Sequence, residues 1–334
     1  MPSSTSSSSW RATWLLALAI AGSLIGLCEY EARHHDQRPS VDDTPTAWAT
    51  LRRSVDGDPN VVVFVGTSRI VLGTSLDAFA EAAPGTRPVQ LGVNGMLPFA
   101  ALDDLAQDPD FRGVVVFDVI ELEVPRADPF HDPEMAPYLA RARALWRAPG
   151  EIANNYLAGW VQSWLAVLAI KGSRLLHAWI PHLEWPTPTW VVADRDRVWH
   201  ADYALATRDA LDGRIRSWMG MAGGPAEPPE RWLALTQRVL EPRFRQIRAH
   251  GGDVVVLHMP TTGRFGEALD RLYPRAPYWD VFARNSAAHV WHFRDLPAMA
   301  QLICRDDVHL DGGDQATFTR ALVEQMRAQH VLRP

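Results

Sequence analysis

Short apolar runs recur along the chain: NVVVFVG (60–66), RPVQLGV (87–93), GVVVFDVI (113–120), GDVVVLHM (252–259) and AAHVWHF (287–293). Each is rich in β-branched and aromatic residues and nearly unbroken by polar ones, the pattern of strands covered on both faces. Between them lie segments with helical spacing: SLDAFAEAAP (75–84), AALDDLAQDP (100–109), ERWLALTQRVLEPRFRQIRAHGG (230–252) and QATFTRALVEQMRAQ (315–329). The last two carry basic residues near their ends, and the 230–252 segment runs into glycines, as helix C-termini prefer. Strand alternating with helix predicts an α/β fold, a three-layer sandwich.

Two regions depart from that alternation. Residues 12–28, ATWLLALAIAGSLIGLC, hold no charged side chain, and with Trp10 they approach the roughly 20 residues needed to cross a bilayer. Arg11 precedes this stretch, while Glu29 and Glu31 follow it before Arg33, so the positive bias predicts a cytoplasmic N-terminus. Its exit, LCEYEAR, lacks the small residues of a cleavage site, which favours an uncleaved anchor over a signal peptide. The polar, proline-containing HHDQRPSVDDTPTA (34–47) then reads as a linker, with the folded part beginning near Trp48.

The second departure is a helical insertion at 126–229, which holds eight of the 14 tryptophans: Trp146, Trp160, Trp164, Trp179, Trp185, Trp190, Trp199 and Trp218. Its middle, YLAGWVQSWLAVLAI (156–170), is apolar around most of a helix yet short for a membrane span. A buried helix in a cap subdomain is the expectation. A helix lying on a membrane or docking on a membrane partner is the alternative, since tryptophan favours surfaces that are apolar at one end and wet at the other.

Composition narrows the field only a little. With 334 residues and 47% apolar content the chain can bury a full core. Its net charge of -6 provides no basic excess for phosphates, so nucleic acid is not an expected partner. Cys28 and Cys304 stand in different environments and are not expected to pair. The acidic run DDVHLDGGD (306–314) lacks the closing glutamate of a calcium loop, and no metal or other cofactor is expected. No phosphate-cradling glycine loop is present.

The chemistry lies in VVVFVGTSR (61–69) and DDVHLD (306–311). A β-run that stops at Gly66 delivers Ser68 to the carboxyl end of a strand, where open parallel sheets present their ligand-facing side chains. A serine hydroxyl needs a base to take its proton and a third group to hold that base. His309 supplies the base and Asp306 the holder, with Asp307 left open by spacing alone. Arg69, Asn94 and His258 are candidates for the pocket wall because they too follow strands.

With these residues in view, the chain resembles the SGNH hydrolases, also called the GDSL family, over roughly residues 58–125 and 230–330. The Gly-x-Ser block stands as Gly66-Thr67-Ser68, the oxyanion-hole glycine as Gly95 in LGVNG, and the Asp-x-x-His block as Asp306-Asp307-Val308-His309. The chain departs from the family at the third block, where VVVFDVIELEV carries Asp118, Glu121 and Glu123 in place of an asparagine. The resemblance implies a five-stranded parallel, flavodoxin-like sheet, with Ser68 as nucleophile, His309 as base, Asp306 as its orienting acid and an oxyanion hole from the N–H groups of Ser68 and Gly95. Asn94, beside Gly95, is the candidate substitute for the missing donor.

The implied organisation is a cytoplasmic N-terminus (1–11), a transmembrane anchor (12–28), a linker (29–47), an SGNH-like domain in two parts (48–125 and 230–334) and the tryptophan-rich insertion (126–229) between them. One anchor, a Gly-x-Ser block and a C-terminal Asp-x-x-His together resemble proteins that serve membrane-bound O-acyltransferases in the cell envelope. The expected function is a serine esterase or O-acyltransferase in the inner membrane, single-pass, its catalytic domain periplasmic, acting on acylated envelope glycans or lipids. The alternative is a non-catalytic scaffold of the same fold that binds a membrane-bound O-acyltransferase.

Overall fold

The computed structural model describes residues 7–127, 132–170 and 187–333. Each of the five apolar runs forms a strand: β1 (Val61–Val65), β2 (Arg87–Gln90), β3 (Val114–Asp118) and, after a small hairpin of β4 (Val191–Ala193) and β5 (Trp199–Ala201), β6 (Asp253–His258) and β7 (His289–His292). The five make one parallel sheet in the order β2-β1-β3-β6-β7. Their apolar continuity follows from burial on both faces. Val61, Val63 and Val65 pack into one core with Trp48, Leu102, Leu105, Phe244 and Ile247, whereas Val62 and Phe64 face a second core with Phe79, Phe318 and Leu322. Truncating a ring such as Phe117, fully buried in the first core, is worth about 3–5 kcal/mol.

Two of the early helices begin at a side-chain cap. The Thr44 side chain accepts from Ala47 N at 3.1 Å and Pro45 opens α2 (Pro45–Ser54). Short α3 (Ser68–Gly73) follows β1 directly; in α4 (Leu76–Ala82) the cap is Ser75, accepting from Ala78 N at 3.2 Å. Next come α5 (Phe99–Gln107), and the helix Gln315–Ala328 near the C-terminus. The 230–252 segment is not one regular helix. A π-helical turn, Thr236–Leu240, separates Pro229–Leu235 from Glu241–Ala249, because Pro242 has no N–H with which to continue the α ladder.

At the N-terminus α1 runs Ser7–His34, well past residue 28, about 42 Å at 1.5 Å per residue. Its stretch Trp10–His34 is long and apolar enough to cross a membrane, and its large side chains, Trp14, Leu18 and Leu24 among them, are exposed. Residues 35–44 are not a free linker. Val41 N bonds Ala193 O at 2.9 Å, Asp42 N bonds Gln162 Oε1 at 3.0 Å, and Asp43 pairs with Arg197 at 2.6 Å, so this segment is a strap held by the insertion.

The insertion also differs from an all-helical cap. It holds α6 (Ala136–Ala144), α7 (Pro149–Gln162) and the helix Arg208–Met221, but also the β4-β5 hairpin. The apolar stretch 156–170 is not a buried helix either. The α7 helix stops at Ser163, and the following 3-10 turn Ala166–Ala169 exists because the Glu29 carboxylate accepts from Ala166 N and Val167 N, both at 3.0 Å. Tyr156, Leu157, Trp160, Trp164 and Leu168 remain exposed. Trp179 and Trp185 lie outside the described residues, as does the side chain of Trp146.

Candidate active site

The sheet grows outward in one direction from β1 to β2 and in the other from β1 to β3, leaving a crevice beyond their carboxyl ends where ligands of open α/β sheets bind. Ser68 opens α3 at the edge of that crevice. The turn before it demands a glycine for space: a Cβ at Gly66 would lie 2.8 Å from Ile70 Cγ2 and 3.0 Å from Asp118 Cβ. As the first helical residue, Ser68 also has a backbone N–H with no partner inside its helix.

Ser68 Oγ lies 2.7 Å from His309 Nε2, and His309 Nδ1 lies 2.8 Å from Asp306 Oδ2. The other Asp306 oxygen accepts from His309 N at 2.8 Å and Val308 N at 3.1 Å. Burial alone would raise the Asp306 carboxyl, but the hydrogen bonds and charge of His309, with the two backbone N–H groups, outweigh it and hold the group well below the usual carboxylate range. Being ionised, Asp306 can only accept. The proton of a neutral His309 therefore sits on Nδ1, and Nε2 is the lone pair facing the serine hydroxyl.

Asp307 serves a different purpose. Its backbone is left-handed, φ 71°, which turns the side chain away from the imidazole to accept from Phe265 N at 3.1 Å, inside the first turn of the helix Gly263–Leu272. The close fit excludes a side chain opposite: a Cβ at Gly263 would stand 2.0 Å from Asp307 Oδ1. Of the remaining acids in the 306–314 run, Asp311 accepts from Tyr203 N and Gly313 N.

A cavity of about 640 Å³ opens in front of Ser68 and His309. Asn94 and Gly95 line it, the latter with φ 77°, a conformation that favours glycine. Arg69 borders it, yet its guanidinium is buried, bonding Asp118 Oδ2 at 3.1 Å and Glu123 Oε2 at 2.9 Å. Burial pushes the Asp118 carboxyl up to about 6 against the pull of Arg69. The acid at the end of β3 thus binds the residue after the serine. His258 does not reach the cavity. It is buried with Nε2 3.2 Å from Glu121 Oε2 and its ring 4.4 Å from that of His292, because the end of β6 is covered by Trp279 and Phe293.

Several residues of the insertion complete the site. Arg214 Nη1 reaches Asp306 Oδ2 at 3.3 Å while its guanidinium lies over Trp190 at 4.3 Å, and one turn on, Trp218 packs edge-on against His309 at 5.4 Å. Tyr203 is buried beside Asp306, and burial with that neighbouring charge drives its phenol upward. Arg197 donates to Gln90 O at 2.9 Å and Gly92 O at 3.0 Å, fixing the loop that leads to Gly95. Arg214 and Trp218 share a helix face by their spacing of four. No sequence signal ties that face, or Arg197, to segments roughly a hundred residues away.

The arrangement presents a hydroxyl, a base aligned to take its proton and a carboxylate to hold the base, all beside a cavity. Comparison with protein-family models, curated proteins and solved structures finds no match for the chain.

Proposed function

We propose that the chain is a membrane-anchored serine esterase or O-acyltransferase of the SGNH hydrolase type. The observation that carries this reading is the continuous line Ser68 Oγ, His309, Asp306, with separations of 2.7 and 2.8 Å, opening on the cavity. The strand order β2-β1-β3-β6-β7 is that of flavodoxin-like folds, and helices packed on both faces accord with a three-layer sandwich. Both support the family reading.

In the first half-reaction Ser68 Oγ attacks an ester carbonyl as His309 Nε2 takes its proton. The resulting imidazolium is stabilised by Asp306, and the oxyanion is met by the N–H groups of Ser68 and Gly95, with Asn94 beside them. His309 then gives the proton to the leaving alcohol and an acyl-Ser68 remains. In the second half His309 takes a proton from the incoming hydroxyl, which attacks the acyl carbon, and returns it to Ser68 Oγ as the bond between the acyl carbon and that oxygen breaks. Water as acceptor gives hydrolysis, and a glycan or lipid hydroxyl gives transfer. Trp218 and Arg214, which close over His309 and Asp306, favour transfer by limiting water.

The charge bias around α1 supports an inner-membrane anchor with the N-terminus cytoplasmic and the folded domain periplasmic. Acylated envelope glycans or lipids are the proposed substrates, and a membrane-bound O-acyltransferase the proposed partner. The test is a fluorophosphonate probe on the purified full chain, with Ser68→Ala beside it and a short-chain aryl ester as substrate. Labelling at Ser68 and at least a roughly thousandfold loss of turnover in Ser68→Ala are expected. Unlabelled, folded wild type with turnover unchanged in Ser68→Ala overturns the catalytic reading in favour of a scaffold.

A further inference from the structure

Helix α7 is built inside out for a protein in water. Two of its polar side chains face the domain: Asn155 Oδ1 accepts from Thr44 Oγ1 at 2.6 Å, and the Gln162 amide exchanges two hydrogen bonds with Asp42, at 3.0 and 2.9 Å. Its large apolar side chains face outward, with Tyr156 74% exposed, Leu157 61% and Trp160 49%. The spacing Ala153, Tyr156, Leu157, Trp160 is one helix face. Beyond the helix end the same surface continues through Trp164, 62% exposed, whose ring lies 6.5 Å from that of Trp160, and Leu168 at 45%.

What covers this face follows from where α1 enters. The Glu29 carboxylate holds Ala166 N and Val167 N, Arg33 donates to Trp164 O at 2.9 Å, and Ala32 is buried with Ala166, Val167 and Ile170 while Cys28 packs alongside. The exposed residues thus branch from the point at which the apolar helix meets the domain. A bilayer crossed by α1 ends at that point. We propose that the outer face of α7, with Trp164 and Leu168, is seated in the interfacial layer of the membrane that α1 crosses, so that the domain is held on the lipid surface in a fixed orientation. The aromatic content suits that layer, where rings bury their apolar body and keep their polar edge wet. Residues 149–170 contain no lysine or arginine, so the seat works by apolar burial and not by attraction to anionic headgroups.

The proposal rests on α1 crossing a bilayer and is independent of the serine chemistry. Its test uses the full chain with Cys28→Ser, reconstituted into phosphatidylethanolamine vesicles with or without phosphatidylglycerol. Spin labels are placed in turn at Leu157→Cys, Trp160→Cys and Leu168→Cys, all exposed positions. Leu18→Cys reports on the span and Glu267→Cys on water. Collision with oxygen is expected to exceed collision with a water-soluble nickel chelate at the three seat positions, at a depth shallower than Leu18, with the reverse at Glu267 and no dependence on the anionic lipid. Seat labels as open to nickel as Glu267 would overturn the proposal. Shielding from both reagents would mean a second protein copy on this face, and a water-exposed Leu18 would remove the premise; either result also overturns it.

Discussion

Asp306 gathers more contacts than any carboxylate needs for packing. It takes His309 Nδ1 and two backbone N–H groups, and the Arg214 guanidinium approaches the same oxygen as His309 Nδ1. Asp306→Asn keeps the volume but lets the amide donate where the carboxylate accepted, which favours the wrong imidazole tautomer. Turnover of an aryl ester by the variant is expected to fall roughly ten-thousandfold. The same substitution tests linkage. Because the folded carboxyl is held below its ordinary value, its stabilisation is complete above about pH 4 and is lost as the pH falls toward the folded value. The melting-temperature gap between wild type and Asp306→Asn should therefore narrow from pH 5 to pH 2. A gap that stays constant would mean the charge of Asp306 contributes nothing to the fold.

Among the elements, the five strands were legible as continuous apolar runs, because burial on both faces leaves no polar position to confuse the period. The insertion was legible only as a break. Its β4-β5 hairpin is short, its strands are three residues each, and it is stabilised by contacts with distant segments: Gly312 N to Ala201 O at 2.7 Å, and Gln315 Nε2 to Trp199 O at 2.6 Å. Arg197 between those strands is 2% exposed and holds both the strap and the Gly95 loop. Arg197→Met leaves the Asp43 carboxylate enclosed without its partner and frees two carbonyls. A loss of about 3–5 kcal/mol in urea unfolding is expected. Aryl-ester turnover should fall with it, and a variant with unchanged turnover would show that Arg197 does not position the Gly95 loop.

For the whole molecule, the apolar N-terminal helix and the domain are not joined by a tether. The end of α1, the strap and the segment 164–170 share hydrogen bonds, so the orientation of the domain relative to the helix is set. Glu29→Ala removes the acceptor for Ala166 N and Val167 N without touching Ser68. A hydrogen bond to a charged group is worth about 1.5–3 kcal/mol, so exchange of those two amides should accelerate about tenfold to a hundredfold. Hydrogen exchange on the reconstituted chain checks this. No change in exchange would mean that the junction is held by the Ala32 packing alone.

By itself the sequence determined the strands, the apolar N-terminal helix and the pairing of a serine after β1 with Asp-x-x-His before the last helix. Those are local facts, set by side-chain period and by short spacings that one turn can realise. The tertiary structure decided what depends on distant partners: that Asp306 and not Asp307 meets the imidazole, that Arg69 is held by Asp118, that His258 is buried, and that Arg214, Trp218 and Arg197 complete the site. It also decided that α7 turns its apolar face outward. Spacing shows that a helix has an apolar side, but only the position of α1, Asp42 and Thr44 decides which side the protein covers.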